Sequence, residues 1–165
     1  MPQTTGLGHV GIHVNDIAKM RDFYTRVIGL QVSDEDLEGA NRNGVGMCFL
    51  SSDPVAEHHE FVLVEGRSSE EDTQLVQQMS FKVPAIQDLR DYKQLIETEN
   101  LKIDRIVSHG NAFGMYFFDP EGNRVELYYR TGFPVPQPHG DPIDLSRSDE
   151  DLLADAKEAL FAKTR

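Results

Sequence analysis

Met115–Gly132, MYFFDPEGNRVELYYRTG, is the stretch from which the rest of the chain can be read. Tyr116, Phe117 and Phe118 are aromatic residues of high strand propensity. Asp119-Pro120-Glu121-Gly122-Asn123 is turn chemistry, because Pro presets φ while Gly and Asn tolerate φ above zero. The return strand alternates, with Val125, Leu127 and Tyr129 on one face and Arg124, Glu126 and Tyr128 on the other. A carboxylate in mid-strand, taken alone, reads as a solvated residue on the wet face of an antiparallel sheet.

The stretch occurs twice. Asp53-Pro54 precedes Glu60 by seven residues, as Asp119-Pro120 precedes Glu126, and Gly66 and Gly132 follow those glutamates by six. The offset there is 126 − 60 = 66. A second alignment, at 78 − 9 = 69, sets Ile12 on Phe81, Val14 on Val83, Ile17 on Ile86, Met20 on Leu89, Phe23 on Tyr92 and Val27 on Ile96. The change from 69 to 66 is assigned to loops, which tolerate length changes.

Each half therefore reads βαβββ. The first is expected to hold a strand at 8–14, a helix from Ile17 to Ile28 capped by Asp16 and Gly29, and a short strand at 30–33. An acidic loop at 34–39 and strands at 46–51 and 57–65 complete it. The second half repeats this order. Its strand at 75–83 is followed by a helix carrying Ile86, Leu89, Tyr92, Leu95 and Ile96, then by strands at 101–107, 113–118 and 124–129. The predicted organisation is a first module over 1–66, a polar linker over 67–73, a second module over 74–132, and a proline-rich strap with a C-terminal amphipathic helix over 133–165. The fold class is α+β. The two tandem modules are expected to pack as a pseudo-symmetric pair forming an open barrel or cleft.

The 165 residues carry a net charge of −12, which argues against nucleic acid and anionic membrane surfaces as partners. Cys48 is the single cysteine, so neither an intrachain disulfide nor a Cys-rich zinc site is expected. The N-terminal residues lack a signal-peptide pattern and no apolar run approaches membrane-spanning length, so the expected location is cytoplasmic.

Four polar residues correspond across the repeat: His9 with Gln78 on the first strands, and Glu60 with Glu126 on the last. All four fall on the face opposite the apolar one. An imidazole, an amide oxygen and two carboxylates suit a borderline or hard divalent ion such as Fe(II), Mn(II), Zn(II), Ni(II) or Co(II). His13 reads as a cleft-wall residue, Lys82 as a solvated strand end, His139 as structural and Cys48 as a small buried residue.

The duplicated βαβββ pattern, with His9 on the first strand and DPEGNRVELY around Glu126, resembles the vicinal oxygen chelate superfamily over about residues 6–132. That superfamily includes glyoxalase I, type I extradiol dioxygenases, fosfomycin-modifying enzymes and metal-free bleomycin-binding proteins. His59 beside Glu60, Tyr116 ten residues before Glu126, and His109-Gly110 in the preceding loop are similar to the catalytic module of extradiol dioxygenases. The resemblance implies metal ligands His9, Gln78, Glu126 and Glu60, with Fe(II) favoured over Mn(II), Zn(II) or Ni(II). It implies catalytic roles for His59, His109 and Tyr116, a small-molecule substrate of catechol type, and a homodimer as an open expectation for the assembly. Gln78 departs from the dioxygenase pattern, which has His there. The set of His, Gln and two Glu is similar to glyoxalase I, so a glyoxalase-like lyase or isomerase is the alternative, and a metal-free binding protein the third reading. Repeat alignment turns Glu60 toward the cleft, whereas the dioxygenase resemblance puts His59 there. A local bulge would reconcile them.

Overall fold

The computed structural model describes residues 7–40, 44–67, 76–137 and 139–161. The chain divides into two compact units, Met1–Thr73 and Gln74–Arg165. Most of the expected linker, residues 68–73, lies outside the described residues.

The first unit is β1 (Val10–Val14), α1 (Ile17–Asp22), β2 (Gln31–Asp36), β3 (Met47–Ser51) and β4 (Phe61–Glu65). Its sheet runs β1-β4-β3-β2, with β1 parallel to β4 and the other pairs antiparallel. Asp16 starts α1 by accepting the Lys19 N–H at 2.9 Å. The apolar spacing predicts a regular helix to Ile28. Instead the helix widens into a π-helical turn over Phe23–Val27, where the Ile28 N–H reaches the Phe23 carbonyl. The Thr25 hydroxyl takes the Arg21 carbonyl at 2.9 Å, competing with the regular ladder. The wide turn buries Phe23, Tyr24, Val27 and Ile28, and Gly29 at φ +88° ends it.

Further boundaries differ from expectation, two of them at the acidic strand and at the last strand. The acidic residues Asp34, Glu35 and Asp36, expected in a loop, extend β2 past a bulge at Val32/Asp34. They sit on an edge strand, where charge is tolerated, and Glu35 is held by Arg21 through two hydrogen bonds. The last strand begins at Phe61 rather than at residue 57. The Asp53 side chain caps the Val55 and Ala56 N–H groups and its carbonyl takes that of Glu57, so the ladder resumes only where the Glu60 N–H meets the Leu50 carbonyl.

The second unit is β5 (Met79–Lys82), α2 (Ile86–Thr98), β6 (Ile103–Ser108), β7 (Ala112–Phe118), β8 (Arg124–Arg130), β9 (Asp141–Pro142) and α3 (Asp149–Glu158). Its sheet order, β5-β8-β7-β6-β9, repeats the first unit's topology and adds a short strand. The β7–β8 turn forms around buried Asp119, whose Oδ1 accepts the N–H groups of Glu121 and Asn123 while Oδ2 takes the Asn123 amide. After β8 the proline-rich segment returns along β6 to place β9 against Val107 and Ser108. Arg90 on α2 anchors the segment between β9 and α3, donating to the carbonyls of Leu145 and Arg147 and to Asp149. The α3 helix buries Leu152 and Ala156.

The strand registers supply an alignment finer than the sequence repeat. Val10 pairs with Phe61, as Met79 pairs with Val125. The offset is thus 79 − 10 = 69 at the first strands but 125 − 61 = 64 at the last. Part of the change lies before the last strand, since Leu50 pairs with Phe61 (61 − 50 = 11) and Phe117 with Val125 (125 − 117 = 8). The structural counterpart of Glu126 is therefore Val62 and not Glu60. The discrepancy is two residues, so both alternatives lie on the same face.

Candidate functional site

In the second unit, Glu126 stands at the centre of the open face of the sheet, 7% exposed. It is flanked in register by Ser80 on β5 and Tyr116 on β7. Its Oε2 accepts the Ser80 hydroxyl at 2.5 Å and the Gln78 amide N–H at 2.9 Å. Tyr116 lies beside this carboxylate in register, across β7 and β8. No arginine or lysine forms an ion pair with Glu126 among the described residues, so neutral donors satisfy the buried charge.

Tyr116 leans back over Gly114. A Cβ at Gly114 would lie 2.8 Å from Glu126 Oε1 and 3.1 Å from Tyr116 Cε2, so only glycine leaves room for both side chains. The Tyr116 hydroxyl lies 3.0 Å from His109 Nε2. Burial first, and the Glu126 carboxylate second, push its pKa up to about 12, against the opposing pull of Arg105 and Arg124. Both guanidinium groups lie against the phenol ring, at 4.6 and 4.8 Å from its centroid. Gln78 with Glu126 and Tyr116 with His109 are thus two bonded pairs set side by side.

In the first unit, His9 precedes β1 and is exposed, with its ring 4.3 Å from that of His59. His59 also packs edge-on against Phe49, and its Nδ1 lies 2.9 Å from that of His58. Desolvation, then the neighbouring His9 and His58, hold the His59 pKa below its ordinary value. The Glu60 carboxylate is bonded to the Ser52 N–H and hydroxyl, which hold its pKa below the usual carboxylate range. Both His59 and Glu60 precede β4, and the β3–β4 ladder runs without a bulge. His13 is exposed on β1, and Lys82 is exposed at the end of β5. Cys48 is fully buried in the sheet core, and burial raises its thiol pKa to about 11.

Ser80 and Gly114 escaped the sequence reading. Ser80 shares a face with Gln78 two residues earlier, so strand alternation could have found it. A lone glycine inside an aromatic strand is itself a signal of close approach.

Among the described residues no three His, Cys, Asp or Glu side chains are grouped to hold a metal ion. An ion held here needs a ligand of another type, and Gln78 is such a ligand, already beside Glu126. A carboxylate and an amide oxygen are hard donors that fit a divalent cation, provided the Gln78 amide turns its oxygen toward it.

Residues 6–127 match the family model described as the Glyoxalase/Bleomycin resistance protein/Dioxygenase superfamily. Two biphenyl-2,3-diol 1,2-dioxygenases of Rhodococcus globerulus are similar in sequence, one 26% identical over 131 residues and the other 30% over 132. Each alignment covers 77% of this chain and 64% of the relative, so the chain spans under two thirds of their length. The fosfomycin resistance protein FosX of Listeria monocytogenes, solved with Mn(II) and sulfate, aligns with TM-score 0.60 at 16% identity over 77% of this chain and 93% of that one. No helix among the described residues is long and apolar enough to cross a membrane.

Proposed function

The chain belongs to the glyoxalase/bleomycin resistance protein/dioxygenase superfamily, and from that membership we propose that it is a metal-dependent extradiol-type dioxygenase acting on a catechol-like vicinal diol. The observation that carries this reading is the buried Glu126 carboxylate bonded to Gln78, with Tyr116 beside it in register and the Tyr116 hydroxyl on His109. The similarity to biphenyl-2,3-diol dioxygenases supports it.

The ligands the resemblance assigns are His9, Gln78, Glu126 and Glu60, and Fe(II) is the favoured ion. Gln78 already stands beside Glu126, while Glu60 is occupied by Ser52. When bound, the ion supplies chelation of two vicinal oxygens. When substrate is bound, the single Tyr116 Oη hydrogen turns to a substrate oxygen or stays on His109 Nε2, so the pair can hold or pass one proton at that oxygen. His59, its pKa held below the ordinary value first by desolvation and then by His9 and His58, is the base this reading offers on the first unit.

The glyoxalase-like alternative is favoured by Gln78. It takes Glu60 or Glu126 as both ligand and base, and the two Ser52 hydrogen bonds make Glu60 a weaker base than a free carboxylate. The experiment is metal analysis of the purified protein, followed by assays with catechol plus O₂ and with a methylglyoxal–thiol adduct. Ring cleavage that is lost, together with the metal, in Glu126→Ala is the expected result. Gln78→His should keep or raise iron affinity, because imidazole is the stronger ligand. Turnover of the thiol adduct alone, abolished by Glu60→Ala and indifferent to His59→Ala, would overturn the dioxygenase reading.

A further inference from the structure

We propose that the proline-rich strap after β8 is a positioning device for His109, and that Gln137 is the residue through which it fixes which ring nitrogen carries the proton. His109 sits in the β6–β7 hairpin, and its Nδ1 lies 2.7 Å from the His139 carbonyl oxygen. A carbonyl can only accept, so Nδ1 carries the hydrogen. In the neutral ring Nε2 is then bare and accepts from the Tyr116 hydroxyl at 3.0 Å. The opposite tautomer would set two lone pairs against each other at Nδ1.

The carbonyl is held in place by a bracket of contacts. The Gln137 side chain donates from Nε2 to the His109 carbonyl at 2.8 Å and accepts the His139 N–H at Oε1 at 3.2 Å. One amide thus ties the backbone of the histidine to the backbone that supplies its acceptor. Val135 packs where a Cβ on Gly110 would stand, 2.7 Å from its methyl carbons, and Gly110 has φ +69°. The Thr131 hydroxyl donates to the Gly110 carbonyl at 2.6 Å. The hairpin and the strap are therefore built to fit one another, and the product of that fit at the open face is the state of His109 Nε2.

The catalytic meaning of this device rests on the proposed function, but its test does not. The tautomer of His109 is read by ¹⁵N NMR of the full chain labelled at histidine, with His109→Gln used to assign the signals. Neutral His109 is expected with Nδ1 protonated and Nε2 bare. Gln137→Ala, at an exposed position, should leave the backbone amide spectrum elsewhere unchanged and shift the tautomer ratio about fivefold toward Nε2–H, the factor one ordinary hydrogen bond supplies. If the enzyme cleaves catechols, kcat should fall by a similar factor with KM unchanged. His109 found with Nε2 protonated in the unaltered chain, or a tautomer ratio unmoved by Gln137→Ala, would overturn the proposal even if ring cleavage is confirmed. Gly110→Ala, which displaces Val135, provides an independent disturbance of the same fit and should move the ratio in the same direction.

Discussion

The two units share a topology and differ at every position that matters chemically on their open faces. In the strand registers Glu126 answers to Val62, Ser80 to Gly11, Tyr116 to Phe49 and Gly114 to Met47. The second unit carries a buried carboxylate, the hydroxyl and amide that satisfy it, and a glycine that makes room for it and Tyr116. The first unit carries apolar side chains at those same positions, with imidazoles grouped at the strand ends. A duplicated scaffold tolerates this because the helix-facing side of each sheet is apolar in both, with Ile12, Val14 and Leu63 in one and Met79, Val125 and Leu127 in the other. The open face is free to diverge provided each polar group acquires its partners together.

The largest effect is expected from forcing the units to match. Val62→Glu places a carboxylate at a site 5% exposed, beside Gly11 and Phe49, neither of which offers a side-chain donor. It should destabilise by about 3–5 kcal/mol, read by chemical denaturation. A cost below about 1 kcal/mol would mean that the first unit already holds donors for a charge there. Gly114→Ala comes next, with an expected cost of about 1–3 kcal/mol because its Cβ must displace Glu126 or Tyr116. Met47→Ala at the matching place should instead open space and leave the His9–His59 contact intact.

Tyr116→Phe sharpens the comparison at high pH. The folded-state pKa of about 12 lies above the ordinary value of about 10. The phenol therefore contributes stability that is fully present below about pH 10 and is lost as pH rises through about 12. Unfolding measured across that window should flatten in the Phe variant, as Phe49 already occupies the counterpart position. The smallest effect is expected from Glu60→Gln. The Ser52 contacts depress the Glu60 pKa, so its contribution is present above the ordinary carboxylate range and fades as pH falls through the folded value. An exposed carboxylate adds little, and acid unfolding curves of the variant should differ only slightly from the parent below about pH 4.

Much of this is legible in the residues. DPEGN announces the turn that Asp119 organises, and Asp16 and Ser148 announce their helices. His109, Tyr116, Gln78 and Glu126 all emerge from spacing and resemblance. The pairing of Glu60 with Glu126 is misleading because an identical spacing from Asp-Pro does not fix where the ladder resumes. The turn after Asp53 takes up three more residues than its counterpart before pairing begins.

The sequence by itself determined the βαβββ repeat, the α+β class and the face each residue occupies within its regular strands, because side-chain periodicity is a property of the local backbone. It did not determine the face of His59 and Glu60, which lie just before β4. Which residues are counterparts, which donors reach Glu126, and how the strap meets His109 were decided only by tertiary structure. Strand register and hydrogen-bond partnership depend on loop lengths and on groups distant in the chain, and no local pattern encodes them.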